Sequence, residues 1–194
     1  DRWARVEAAP GGLTVSWTEG ASEALWLRHH LAAGEVLEPI LATFPDDAPL
    51  RSAVARCRGL RLLRQEPWEC LASFICSSTK QIVQIRQIVA LLSERWGHEV
   101  AAPSGAVLNR AFPTAATIAS AGEGALRDCK LGFRAPYVLD AARRVVEGRL
   151  DLEALARLDT PAAREALMKI HGVGRKIADC VLLFAYGKQD AFPV

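Results

Sequence analysis

Leu167-Met168-Lys169-Ile170-His171-Gly172-Val173-Gly174-Arg175-Lys176-Ile177-Ala178-Asp179-Cys180 is the stretch on which the fold turns. It predicts a helix, a short turn built on Gly172-Val173-Gly174, and a second helix, together a helix-hairpin-helix over about residues 161–186. The two glycines permit positive φ and let a phosphate come close to the backbone. A helix that begins near Gly174 offers unpaired amides and the positive end of its dipole, which together suit an anion. Such a turn can grip a DNA phosphate without reading sequence. Glycine used for turn geometry alone explains the pattern equally well, so Lys176 carries the argument. A cation in the first helical turn opposes the dipole by ~0.3–1 kcal/mol, and folding does not account for it. Cys180 lies four residues on and shares its face, while Ile177, Val181 and Phe184 point toward a core. The same dipole favours the neutral, nucleophilic amine. A simple phosphate contact is the competing reading of Lys176.

The flanking sequence is helical. Thr160 is expected to cap a helix that starts at Pro161, preceded by a short stripe of Leu152, Leu155 and Leu158. Tyr137, Val138, Ala141, Ala142, Val145 and Val146 form a longer stripe closed by Gly148. Pro67 opens the nearly all-apolar run Trp68–Cys76, which predicts a buried helix. Ser78 and Gln81 have the spacing of a capping box, opening a helix with Ile82, Ile85, Val89, Leu92 and Trp96 on one face and ending at Gly97. This helical period begins at about Ser22. Residues 1–19 differ: Leu13, Val15 and Trp17 alternate with Thr14, Ser16 and Thr18 after the turn Pro10-Gly11-Gly12, with Trp3 and Val6 in a partner strand. Two strands make a poor sheet alone, so this reads as the remnant of a larger β element or as a flap. The expectation is a mainly α chain, with a β remnant at 1–19 and a helical core at 20–194.

Composition excludes more than it assigns. With 51% hydrophobic and 24% charged residues the chain is globular rather than disordered. A net charge of +2 from 24 basic and 22 acidic residues permits a local nucleic-acid footprint without arguing for one. Five cysteines without C-x-x-C suggest neither a disulfide framework nor a zinc site, and point to a reducing compartment. No apolar run approaches the roughly 20 residues of a membrane span, and the start Asp1-Arg2-Trp3 has no signal-peptide character. A start at Asp reads as a fragment.

The segment Gly172-Val173-Gly174-Arg175-Lys176-Ile177-Ala178-Asp179-Cys180 resembles the hairpin of the 8-oxoguanine DNA glycosylase family, a branch of the helix-hairpin-helix DNA glycosylase superfamily. Three further segments are similar to that family. They are Gly59-Leu60-Arg61-Leu62-Leu63-Arg64-Gln65 with Glu69-Cys70 and Ser73-Phe74-Ile75-Cys76-Ser77-Ser78, then Leu131-Gly132-Phe133-Arg134-Ala135-Pro136-Tyr137, and Lys188-Gln189-Asp190-Ala191-Phe192-Pro193-Val194. The resemblance runs from about Leu27 to Val194. The family's large N-terminal sheet is mostly absent, and its C-terminal helices are wholly absent.

The resemblance implies a helix-hairpin-helix glycosylase core and a bifunctional base-excision repair enzyme. Such an enzyme excises 8-oxoguanine from duplex DNA through a lysine Schiff base and then cleaves the strand by β-elimination. Lys176 would be the nucleophile, and Cys180 would lie against the expelled base. Phe133 would wedge into the vacated stack, and Arg134 would reach the orphaned partner base. Gly172, Val173, Gly174 and Lys176 would meet the DNA backbone, and Thr79 and Gln84 the strand opposite. The backbone carbonyls of Met168, Ile170 and Val173 would hold a structural monovalent or calcium cation, with no cofactor required for the chemistry. The implied partner is double-stranded DNA carrying an oxidised base, met by a monomer away from membranes, in the nucleoid of a bacterium or the nucleus of a eukaryote. The resemblance also implies an aspartate directly after Pro193-Val194, so the chain is expected to continue with Asp at position 195.

Departures bear on specificity. Thr79 stands where the family has an asparagine that fills the hole left by the base, and Gln84 stands where an arginine reads the opposite cytosine. Relaxed opposite-base choice is the expectation. One competing reading is an endonuclease III-like glycosylase for another oxidised base, which shares the lysine and carries an iron–sulfur cluster downstream. The Phe74-Ile75-Cys76-Ser77-Ser78 and Ala178-Asp179-Cys180 segments favour the oxidised-guanine branch. The other is a non-catalytic helix-hairpin-helix DNA-binding module, but such modules are short and need no lysine at this helix start.

Overall fold

A computed structural model describes residues 3–17, 25–104, 106 and 109–194. The N-terminal alternation folds as an antiparallel pair, β1 (Ala4–Ala9) and β2 (Gly12–Trp17), with Val6 opposite Val15 and Ala4 opposite Trp17. Leu13 and Trp17 are exposed, so neither face of this pair is packed as a core face. Thr18 and the boundary expected at residues 19–20 lie outside the described residues, as does the helical start expected at Ser22.

By contacts the chain divides into two units, Ala21–Gln65 and a larger one formed by Asp1–Gly20 with Glu66–Val194. The smaller unit holds three short helices, α1 (Leu25–His30), α2 (Glu38–Leu41) and α3 (Ala48–Arg56). The Asp47 carboxylate accepts the Leu50 N–H at 2.8 Å and so starts α3. Arg64 closes this unit on itself: its guanidinium pairs with Glu35, and its amide donates to the His30 carbonyl at 2.8 Å.

The larger unit carries the main core. Its first helix, α4 (Pro67–Ser77), starts where Pro67 has no amide to lose and the Glu66 carboxylate accepts the Glu69 N–H at 2.7 Å. It buries Trp68, Cys70, Leu71, Ala72, Ile75 and Cys76, as its apolar run predicts. The Trp68 indole, too large to bury without a partner, donates to the Pro113 carbonyl at 2.9 Å. Leu71 is fully enclosed, and truncating such a side chain to alanine costs ~2–5 kcal/mol.

After α4 come α5 (Ile82–Trp96), α6 (Ala115–Ala121) and α7 (Glu123–Leu126). A kinked passage over residues 127–134 leads into α8 (Ala135–Val146), followed by α9 (Leu152–Arg157), α10 (Thr160–Met168) and α11 (Arg175–Tyr186). α4 packs against α5, α8 and α11, so the apolar helix is central. Phe74 of α4 stacks on Phe184 of α11 with centroids 5.6 Å apart. Among the described residues no helix is long and apolar enough to cross a membrane.

Two helix starts differ from expectation. Ser78 and Gln81 do not form the capping box of α5; the Gln81 N–H donates to the Gln84 side chain at 3.1 Å, and the helix begins at Ile82. Thr79 takes the left-handed backbone at φ 54, which stops any helical turn from running through Ser78–Lys80. Leu92 is buried as expected, but Ile82, expected on the same face, is 76% exposed, and Ile88 is buried in addition. For α10 the cap is Asp159, which accepts the Ala162 N–H at 2.8 Å, rather than Thr160. A carboxylate at this position also complements the dipole, and the Thr160 hydroxyl is engaged elsewhere, donating to Asp190 at 2.6 Å. Val146 and Leu158, placed on stripes by periodicity, are exposed at helix ends.

Candidate active site

The hairpin forms as its sequence predicts. α10 ends at Met168, the chain turns through Lys169–Gly174, and Gly174 is the N-cap of α11, its carbonyl accepting the Ala178 N–H at 3.0 Å. The amides of Arg175, Lys176 and Ile177 donate to no described residue, so the start of α11 is open to an acceptor. The fold requires glycine at position 172 but not at position 174. Gly172 sits at φ 83, and a Cβ there would lie 2.4 Å from Cδ2 of Tyr137. Gly174 has an ordinary backbone, and a Cβ would meet only open space. The turn from Met168 through Gly174 lines an open concavity of about 560 Å³.

A buried acid holds the two hairpin helices together. Asp179 of α11 is fully enclosed, and its Oδ1 accepts from Nε of Arg164 on α10 at 2.5 Å. Its Oδ2 has no hydrogen-bond partner and faces Nε of Arg175 at 3.6 Å. Burial of a carboxylate on this scale is tolerated only with a cation beside it.

Lys176 is exposed and has no ion-pair partner among the described residues. Cys180, one turn along, is half-buried; burial pushes its thiol up and the Lys176 ammonium offsets part of that rise. Cys70 approaches from α4, where burial pushes its thiol to about 12. Both thiols are therefore held neutral, as soft apolar packing rather than as nucleophiles. Among the described residues this face offers the primary amine of Lys176 as its nucleophile.

The second cluster lies at the kink before α8. Lys130 and Gly132 adopt left-handed backbone, at φ 65 and φ 59, and thrust Phe133 outward to 52% exposure. Arg134 does the reverse and is only 3% exposed. Its Nε donates to the Ser78 carbonyl at 2.7 Å, and its Nη2 reaches the same carbonyl and also Oγ1 of Thr79 at 2.6 Å. Its Nη1 donates to the Leu131 carbonyl at 3.3 Å, and the guanidinium lies 4.1 Å from the Phe133 ring centroid.

The residues singled out in the sequence thus form two groups. Gly172, Val173, Gly174, Lys176 and Cys180 share the hairpin. Phe133, Arg134 and Thr79 are bonded or stacked together, although 55 residues separate Arg134 from Thr79. Gln84 is exposed on the first turn of α5, its side chain engaged in the cap. For a cation at the hairpin, the Ile170 carbonyl already accepts the Val173 N–H at 3.1 Å, while those of Met168 and Val173 accept no described hydrogen bond. Among the described residues no cluster of three His, Cys, Asp or Glu could hold a metal, so a neutral carbonyl set is the one available there.

Sequence reasoning missed Tyr137 as a partner of the hairpin, and it missed Asp179 with Arg164. The i, i+4 spacing of Arg175 and Asp179 signals a cation beside that acid, but nothing local signals Arg164. Nothing in the sequence pairs Tyr137 with Gly172.

Comparison with known proteins bears on the fold and the family. Residues 14–71 match the domain described as 8-oxoguanine DNA glycosylase, N-terminal domain. A probable N-glycosylase/DNA lyase of Methanothermobacter thermautotrophicus is 31% identical over 172 residues, covering 78% of this chain and 54% of that protein. The N-glycosylase/DNA lyase of Saccharomyces cerevisiae is 35% identical over 148 residues, covering 71% of this chain and 39% of that protein. The chain therefore spans about half the length of the archaeal relative and less of the yeast one. Among solved structures, the Clostridium acetobutylicum 8-oxoguanine glycosylase/lyase bound to double-stranded DNA with cytosine opposite 8-oxoguanine superposes with a TM-score of 0.88 at 31% identity, over 98% of this chain and 65% of that one. On its hairpin, its helical core and these relatives together, the chain belongs to the 8-oxoguanine DNA glycosylase family of helix-hairpin-helix proteins.

Proposed function

We propose that this chain is the helical core of a DNA glycosylase and abasic-site lyase that excises 8-oxoguanine from double-stranded DNA. The observation that carries the reading is Lys176, an exposed amine with no ion-pair partner among the described residues, in the first turn of α11, one turn from Cys180 and beside a row of open amides. The activities named for the archaeal and yeast relatives, and the DNA held by the clostridial protein, support it.

In this reading the open amides of Arg175, Lys176 and Ile177 bind a backbone phosphate. The carbonyls of Met168, Ile170 and Val173 would hold a monovalent or calcium cation, which would add positive charge at that phosphate. Phe133 enters the stack as the damaged base leaves it, offsetting an unstacking cost of a few kcal/mol. The base rests against the neutral thiol of Cys180. Lys176 in its neutral form bonds through Nζ to C1′ as the glycosidic bond breaks, and the bond's electron pair leaves with the base, which takes up a proton. Ring opening gives a Schiff base between Nζ and C1′. Loss of a proton from C2′ then expels the 3′-phosphate, and water releases the lysine. Thr79 and Gln84 meet the opposite strand without the asparagine and arginine of the family, so the choice of opposite base is relaxed. The enzyme acts as a monomer where the genome lies, in nucleoid or nucleus.

Borohydride trapping by the full-length protein on 8-oxoguanine, thymine-glycol and undamaged duplexes tests this. Covalent capture on the 8-oxoguanine duplex is expected from the wild type and not from Lys176→Gln, which should still bind. Capture that persists in Lys176→Gln removes that residue from the chemistry. Preferential capture on thymine glycol moves the protein to the endonuclease III-like branch, and duplex binding without capture makes it a non-catalytic module.

A further inference from the structure

We infer that Tyr137 is a positioning residue that joins the wedge, Phe133, to the phosphate-gripping turn, His171–Gly172, so that the two press on DNA as one body. The inference rests on the function proposed above. Tyr137 belongs to the first turn of α8, is half-buried, and has packing partners on both sides. Phe133 meets its ring edge-on, with centroids 6.2 Å apart at 72°. His171 lies against it with centroids 4.6 Å apart at 58°. Gly172 is so close that even a methyl group would lie within 2.4 Å of the ring. One turn further along α8, the Asp140 carboxylate accepts the His171 N–H at 3.3 Å and is itself fixed by Arg144 at 2.8 Å. The turn is therefore seated on α8 at two successive points, a ring and a carboxylate, while Phe133 leans on the same ring.

Extrusion makes this seating matter. A side chain that displaces a base against a few kcal/mol of stacking must be backed by something that does not yield. Phe133 stands on a passage whose backbone turns left-handed at Lys130 and Gly132, and it is more than half exposed, so it has little support of its own. Arg134 backs one part of the ring, pinned to the Ser78 carbonyl. Tyr137 backs it from α8, and the same ring holds the turn that fixes the DNA backbone. The push on the base is thereby opposed by the grip on the phosphate. The Tyr137 hydroxyl makes no hydrogen bond to a described residue, so the ring is the part that this role requires.

A double-mutant cycle in the full-length protein tests the link. Affinities for an 8-oxoguanine duplex and for an undamaged duplex are measured for Phe133→Ala, His171→Ala and the double variant, in three backgrounds: wild type, Tyr137→Phe and Tyr137→Leu. Phe133 and His171 meet through Tyr137, so in the wild type the double variant is expected to depart from the product of the single effects by about threefold or more on lesion DNA. Tyr137→Phe should keep that departure, and Tyr137→Leu should bring the cycle to within about twofold of additivity. An additive cycle in the wild type, or coupling that survives Tyr137→Leu, overturns the inference. If Tyr137→Leu does not fold, the wild-type cycle and the Tyr137→Phe cycle still decide. A wild type with no preference for the 8-oxoguanine duplex brings down the proposed function and this link together, whereas a clear preference with an additive cycle brings down the link alone.

Discussion

Replacing Gly172 and Gly174 by alanine, one at a time, separates two reasons for glycine in the same turn. At position 172 the new Cβ would lie 2.4 Å from Cδ2 and 2.6 Å from Cγ of Tyr137. Ordinary carbon contacts lie at ~3.5–4 Å, so the ring or the turn must shift by about 1 Å or more. Overpacking of that kind costs ~1–3 kcal/mol, and the left-handed backbone at φ 83 adds ~1–2 kcal/mol for a residue with a side chain. A total of ~2–5 kcal/mol is expected, which for a chain of this length lowers the melting temperature by roughly 10 °C. At position 174 the backbone is ordinary and the space is open. Alanine is a poorer N-cap than glycine by up to about 1 kcal/mol, but it stiffens the unfolded chain by ~0.4–1 kcal/mol, so stability should stay within about 0.5 kcal/mol. The cost of Gly174→Ala falls on binding instead, because the methyl group stands where a phosphate would approach the open amides. Losing a charge-assisted hydrogen bond of ~1.5–3 kcal/mol weakens affinity by roughly tenfold to a hundredfold, on damaged and undamaged duplex alike. Urea denaturation reads the first effect and fluorescence anisotropy the second. Equal stability losses in the two variants, or full DNA affinity in Gly174→Ala, would refute the assignment.

Three further outcomes are expected. Asp179→Ala should destabilise the protein by ~3–5 kcal/mol in urea titration, because Arg164 is left partly buried without its partner; a loss under about 1 kcal/mol would mean that the pair does not hold α10 to α11. Arg134→Ala should weaken binding to lesion duplex more than to undamaged duplex, and equal losses on both would mark Arg134 as a general scaffold or phosphate contact. The native protein should prefer cytosine over adenine opposite the lesion only weakly, and Gln84→Arg should sharpen that preference by ~1–3 kcal/mol in paired excision assays; a native ratio that is already steep would place opposite-base reading elsewhere.

Legibility followed the range of the forces involved. The run from Trp68 to Cys76 was readable because an all-apolar helix has few places to go except the centre of a core. The hairpin was readable because two glycines and a dipole-opposed lysine are local, and the structure puts the helix start at Gly174 as those residues imply. What escaped was set by tertiary partners. The start of α5 moved because Thr79 turns left-handed beneath a guanidinium that arrives from position 134. Thr160 lost the cap of α10 to Asp159 because Asp190 engages its hydroxyl from 30 residues away. Arg134 gave the clearest lesson. Its type and motif suggested a side chain reaching outward, and the fold turns it inward onto the carbonyls of Ser78 and Leu131.

That inward turn limits what the guanidinium of Arg134 can offer a base. A guanidinium has five N–H groups, and the bonds of Arg134 to Ser78, Thr79 and Leu131 occupy all but one of them. While they hold, a base brought to this place meets a single donor, and the forked contact by which arginine discriminates between bases is withheld. The loop at Ser78–Thr79 therefore already holds this guanidinium: in the function proposed above, an opposite base would have to displace it before the arginine could fork onto a base edge, and a substitution that tightens the loop would raise that cost.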